Sequence, residues 1–160
     1  MSDPIEILER RLNAVLTGES TTEGLHFFCQ LGGYDDELGI VTLQVSGSGK
    51  VLVSWRTDPE EVDLWTYQFS EEDYRQLIRL FLKFPFWAAN PGRRSRRGEE
   101  TNIHLRVSAN DKGTHQGLQF WSEDMLEFPI LKKVLVPLTR LIVHLSHEEI
   151  PQEELDLIFP

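Results

Sequence analysis

The side chains of this sequence that could do chemistry are few and scattered. His144 and His147 stand three positions apart at the end of an apolar run, with Glu148 adjacent. That spacing puts two imidazoles on one helix face, as a metal site would need. No third ligand is identifiable, and histidine near a helix C-terminus has an ordinary electrostatic role. Cys29 and His26 could form a nucleophile and its base. Cys29, however, alternates with Phe27 and Leu31 on the apolar side of a strand, where cysteine behaves as a small hydrophobe. His104 and His115 fall on the polar face of a later hairpin, which could line a site or simply meet solvent. The acidic runs Asp35-Asp36-Glu37 and Asp58 to Asp63 lack the glycine and spacing of a calcium loop. The turns at Gly47-Ser48-Gly49 and Asn90-Pro91-Gly92 lack the lysine and Ser/Thr of a phosphate loop. No catalytic residue, metal ligand or cofactor is assigned, and the chain reads as a non-enzyme.

Two segments depart from this background. Arg93, Arg94, Arg96 and Arg97 gather four of the chain's 16 basic residues within five positions. Guanidinium forks suit carboxylates and phosphates, so the loop could contact an acidic partner or a nucleic-acid backbone. The commoner case for such a loop is a solvated connection, or one fastened to the chain's own acidic surface. The tail, 147–160, alternates acids with large apolar groups. Leu155, Ile158 and Phe159 could dock into a partner's groove or fold back on the domain.

With 160 residues, 40% hydrophobic and 26% charged, the chain suits one soluble domain with a real core. A formal net charge of -10 argues against general binding to nucleic acid or anionic membrane. The single cysteine fits a reducing compartment, and no leader or membrane span is recognisable, so a cytoplasmic location is expected.

The elements are organised around Leu64–Trp87. Trp65, Tyr67 and Phe69 alternate as a strand; from Ser70 the period changes, and Tyr74, Leu77, Ile78, Phe81 and Leu82 recur at helical spacing. Ser70 is the expected N-cap, and Pro85 ends the helix. Upstream, Asp3-Pro4 opens a first helix with its stripe at Ile5, Leu8, Leu12 and Val15, and Gly18 stops it. A strand at 25–31 and another at 38–45 follow. A three-residue loop with Gly49 left-handed sets Val45 against Val51, Leu43 against Val53 and Val41 against Trp55. The next turn is expected to pair Trp55 with Trp65, Val53 with Tyr67 and Val51 with Phe69, on one buried face. A second hairpin places Leu105 against Leu118 and Ile103 against Phe120. A last helix from Pro129 to about Ser146 carries Pro137, which should kink or divide it.

The expected fold is α+β: one domain, residues 1–146, with a four-strand antiparallel meander, a hairpin and helices segregated to one face, in the order α-ββββ-α-ββ-α. Residues 147–160 are then a packed or docking tail. That order, with the acidity, resembles the small acidic secretion chaperones, although this chain has one strand more, an arginine-rich insertion and a proline in the last helix. The segment FSEEDYRQLIRLFLKFPFW resembles part of some small bacterial α+β proteins, one group of which inhibits a protease. Neither resemblance carries a functional residue over; the absent catalytic signature, the strong acidity and the apolar tail favour a non-catalytic protein-binding module of chaperone, inhibitor, immunity or assembly-subunit type. Its expected partner is another protein or a second copy, through Arg93, Arg94, Arg96, Arg97, Leu155, Ile158 and Phe159. The alternatives are an enzyme whose site assembles only in three dimensions, and an acidic-surface or nucleic-acid binder using the arginine loop.

Overall fold

The computed structural model describes residues 3–33 and 36–160. Part of the turn expected at 32–37, Tyr34 and Asp35, lies outside the described residues. The chain begins with α1 (Pro4–Leu16), whose N-cap Asp3 accepts from the Ile5 amide at 2.9 Å. Four strands follow, β1 (Leu25–Gly32), β2 (Ile40–Val45), β3 (Lys50–Asp58) and β4 (Glu61–Gln68). Helix α2 (Glu71–Lys83) opens on a capping box: the Asp73 amide donates to the Ser70 hydroxyl at 3.1 Å, and the Ser70 amide to the Asp73 carboxylate at 3.0 Å. Strands β5 (Asn102–Ala109) and β6 (Thr114–Trp121) form the second hairpin. Three helices close the chain: α3 (Asp124–Glu127), α4 (Pro129–Leu145) and α5 (Gln152–Asp156). The fold is α+β, as expected. The short α3 and α5 add detail that apolar periodicity was too brief to announce.

All six strands form one antiparallel sheet in the order β4-β3-β2-β1-β5-β6. The meander occupies one side, and the second hairpin joins it by pairing β5 with β1. Phe27 pairs with Val107, Cys29 with Leu105 and Leu31 with Ile103. β1 thus becomes an interior strand. Two of the three expected registers are present, Val45 against Val51 and Leu105 against Leu118.

The β3–β4 ladder corrects the expected register by two residues. Val51 pairs with Tyr67, Val53 with Trp65 and Trp55 with Asp63, because a bulge between Arg56 and Asp58 tightens the turn. A two-residue shift keeps every side chain on its expected face. Trp55 and Trp65 therefore share a side of the sheet, but they are only half-buried, and Tyr67 is exposed. β4 is an edge strand, and little of the helical layer reaches it.

The helices lie on one side. From β1, Phe27 packs on Tyr74 and Phe81 of α2, with ring centroids 5.8 and 5.4 Å apart. Leu138 of α4 lines one small internal gap together with Phe27, Cys29, Leu43 and Leu77. Leu8 and Leu12 of α1, fully buried, cover the β5–β6 end, where the Thr114 hydroxyl donates to the Pro4 carbonyl at 3.2 Å. Pro137 does not divide α4, which runs 17 residues. Its missing amide costs about 3 kcal/mol locally, offset by the full burial of Leu131, Val134, Leu135 and Ile142.

The tail packs on this core. Ser146 is buried, and its hydroxyl accepts from the Ile150 amide at 3.1 Å. His147 and Glu148 adopt φ of 55° and 64°, a left-handed pair that turns the chain back from α4. Ile150, Leu155 and Ile158 follow at 0, 0 and 4% exposure.

Candidate functional site

Because the helices occupy one side, the other side of the sheet is left without a helix among the described residues. Its side chains are set by the ladders. One row across the strands reads Leu64, Ser54, Thr42, Gln30, His104, Gln119; the next reads Thr66, Leu52, Gln44, Phe28, Arg106, Gly117. Every one of these is half-buried or exposed. Thr42 and Ser54 exchange a hydroxyl hydrogen bond across the sheet, and the Phe28 ring meets the His104 imidazole edge-on at 5.3 Å. Alternation therefore does two jobs in each strand. The apolar set builds the core, and the polar set tiles an accessible surface six strands wide, from β4 to β6.

The charge of that surface is opposite to the chain's. Lys50, Arg56 and Arg106 lie on it, together with His26, His104 and His115. None of its regularly paired positions holds Asp or Glu, although 26 of the 160 residues are acidic. Lys50 and Arg106 make no ion pair among the described residues. Partial desolvation and, secondarily, the Arg106 guanidinium hold the imidazoles of His26 and His104 below their ordinary value.

At the β6 end the surface deepens into a cleft of about 620 Å³, walled by Pro91, Gly92, Arg93 and Arg94 from the loop after α2 and by Asn102, His104, Gln119 and Trp121 from the sheet. Its wall is fixed by a buried ionic cluster. The Arg94 guanidinium donates to both Glu100 oxygens at 2.8 and 2.6 Å and to Asp124 at 3.0 and 3.2 Å. Glu100 also accepts from the Arg97 amide at 2.6 Å, and Asp124 from the Trp121 amide at 2.8 Å. The Trp121 indole N–H closes the set by donating to the Arg94 carbonyl at 3.0 Å. Bonding to Arg94 is the largest cause that pulls the Glu100 carboxyl down to about 2.

The four arginines of the loop thus divide. Arg94 is structural, and Arg96 pairs with Asp36 at 3.2 Å. Arg93 and Arg97 are exposed and make no ion pair among the described residues. Only Arg93 lines the cleft together with Arg94. Of the tail residues, Leu155 and Ile158 face the chain's own core, while Phe159 is half-buried beneath Lys132, 6.0 Å from its ammonium.

The remaining candidates lie elsewhere. Cys29 is buried, and desolvation pushes its thiol up to about 12, far from a reactive thiolate. His144, His147 and Glu148 do line a shallow depression, but Arg140 shares it, and no group of three metal-ligating side chains occurs among the described residues. A second groove, of about 560 Å³, runs between α2 and α4 over Phe69, Leu77, Leu80, Phe84, Leu138 and Leu141. Its rim mixes Asp73 with Arg79 and Lys83, both signs in one short stretch of α2. Sequence reasoning placed His104 and His115 on a polar face but missed that this face is continuous over six strands. The signal that could have found it is the absence of acids at every second strand position. No helix is long and apolar enough to cross a membrane among the described residues. No protein-family model matches the chain, and no curated protein is significantly similar to it in sequence.

Proposed function

We propose that this protein is a non-catalytic docking module that holds another protein against the uncovered face of its sheet. The observation that carries this reading is the segregation of charge: a chain of net charge -10 keeps every carboxylate off the regular positions of one broad face. A surface that only needed solubility would share the chain's excess of acids. The face also offers side chains that suit a protein partner, with Phe28, Leu52 and Leu64 set among Thr, Ser and Gln. Cys29 is buried with its thiol pushed up to about 12, and Asp124 is engaged by Arg94, so neither favours an enzyme. A photo-crosslinking residue placed at Gln44 on the open face, and separately at Glu6 on α1, tests the reading. The expected result is a defined protein adduct from Gln44, absent from Glu6 and lost when Leu52 and Leu64 are both changed to Glu. Adducts formed only from the helical side would overturn it.

A further inference from the structure

The cleft beside Trp121 contains a gap that its backbone does not require. Gly117 sits in the interior of β6, opposite Arg106, on the open face. It has no left-handed φ. A Cβ added there would meet only ordinary contacts, 3.7 Å from the Leu105 carbonyl, 3.8 Å from Arg106 Cγ and 3.9 Å from His104 Nε2. Neither strain nor crowding therefore explains a residue that weakens a strand interior. What glycine does supply is an unobstructed floor, where a guest group can approach backbone and imidazole closely.

Around that floor the groups that can donate are Arg93, Asn102, His104 and Gln119, with Arg106 at its margin. The one carboxylate on the wall, Asp124, already accepts from Arg94 and from the Trp121 amide, so its charge is matched. Arg93, which lines the cleft, and Arg106, which pairs with Gly117 on the next strand, make no ion pair among the described residues and come from sequence-distant elements. Such an arrangement takes a small anion on a flexible stem, the shape of an aspartate or glutamate side chain, with the Trp121 ring beside it for the stem.

We propose that the cleft above Gly117 seats a carboxylate-bearing segment of the partner protein, with Arg93 and Arg106 as its counter-charges; this rests on the docking reading of the open face. Nucleic acid shares the negative charge but fits less well. A duplex or long strand engages many phosphates at once and is met by strongly basic domains, whereas this chain repels polyanions at long range. A short acidic segment needs only two or three matched charges.

The test is a titration of the isotope-labelled full chain, followed by NMR, with a short blocked peptide carrying two glutamates and, in parallel, a thymidine oligonucleotide. The expected result is movement of the Gly117 amide and the Trp121 indole signal with the peptide. Affinity should fall at least about 10-fold when Arg93 and Arg106 are both changed to Ser, as loss of two charge-assisted contacts implies. Gly117→Leu should give a similar loss while the thermal midpoint and the other open-face signals stay native. Arg97→Ser, outside the cleft, should change nothing. Peptide shifts confined to Gln44, Leu52 and Leu64 would overturn the cleft assignment and leave the open-face reading standing. No shift on the open face, together with no adduct from Gln44, would overturn both. Equal or tighter binding of the oligonucleotide, or shifts that grow with protein concentration alone, would overturn the proposal in favour of nucleic acid or of a second copy.

Discussion

Arg94 and Glu100 meet through two parallel hydrogen bonds, 2.8 and 2.6 Å long, six residues apart in a loop whose Arg93 and Arg97 are exposed. Glu100 is 1% exposed at its side chain and Arg94 19%. The pair turns a flexible connection into the wall of a cleft, since Arg94 also reaches Asp124 and its carbonyl anchors Trp121.

Glu100→Gln is therefore expected to destabilise the fold by about 2–3 kcal/mol, somewhat under the range for a fully buried pair because Arg94 keeps solvent contact. The sign of the pH dependence follows from the lowered carboxyl. Glu100 titrates near 2 when folded against an ordinary 4.5. Its contribution is thus complete above about 4.5 and is lost as pH falls toward 2. Urea midpoints measured across that window should drop more steeply for the native chain than for the Gln variant. Parallel curves would show that the cluster carries no folding energy.

Replacing all four arginines with Ser is not a neutral surface change. Arg93→Ser and Arg97→Ser should each leave the urea midpoint within about 0.5 kcal/mol of native. Arg94→Ser should reproduce most of the Glu100→Gln loss, because it leaves two buried carboxylates facing each other. Equal effects at all four positions would contradict the division of roles.

Phe81 and Leu77 lie at the centre of the helical layer, at 1 and 5% exposure. Truncation of either to Ala should cost about 2–5 kcal/mol in chemical denaturation. A loss under about 0.5 kcal/mol would mean that α2 does not pack where Phe27 places it.

Glu148→Gly should stabilise. The left-handed φ of 64° carries a steric penalty that glycine avoids. After the entropy that glycine adds to the unfolded chain, a gain of about 0.5 kcal/mol is expected, read as a raised thermal midpoint. Deletion of 150–160 should do the opposite and lower the midpoint and the urea m-value together, because Ile150, Leu155 and Ile158 leave the core. A tail-deleted chain with native stability would contradict that packing.

His26 and His104 give a further pH test. Both imidazoles are held below their ordinary 6.5 by desolvation first and Arg106 second. The unfolded chain then binds protons more readily, so stability is full above about 6.5 and declines as pH falls through it. Arg106→Gln should raise both titration midpoints, as followed by NMR. Unmoved midpoints would show that Arg106 does not reach them.

The sequence by itself determined the elements and most of their pairing. Period-2 alternation in Val41, Leu43 and Val45 with a three-residue loop leaves one register that keeps the apolar set together, and the ladder found is that one. The same reasoning shifted β4 by two residues, because two registers of equal parity bury the same face and only the bulge at Arg56–Asp58 separates them. Tertiary structure alone decided that β5 pairs with β1, that Arg94 is spent on Glu100 and Asp124, and that Leu155 and Ile158 turn inward. Each joins groups with no local signal: a carboxylate thirty residues away, or a strand seventy residues back, leaves no periodicity in the chain. The open face lies between the two cases. Its residues were legible as the polar half of every strand, but their union into one surface, with no acid at its regularly paired positions and a cleft at Gly117, exists only once all six strands are in order.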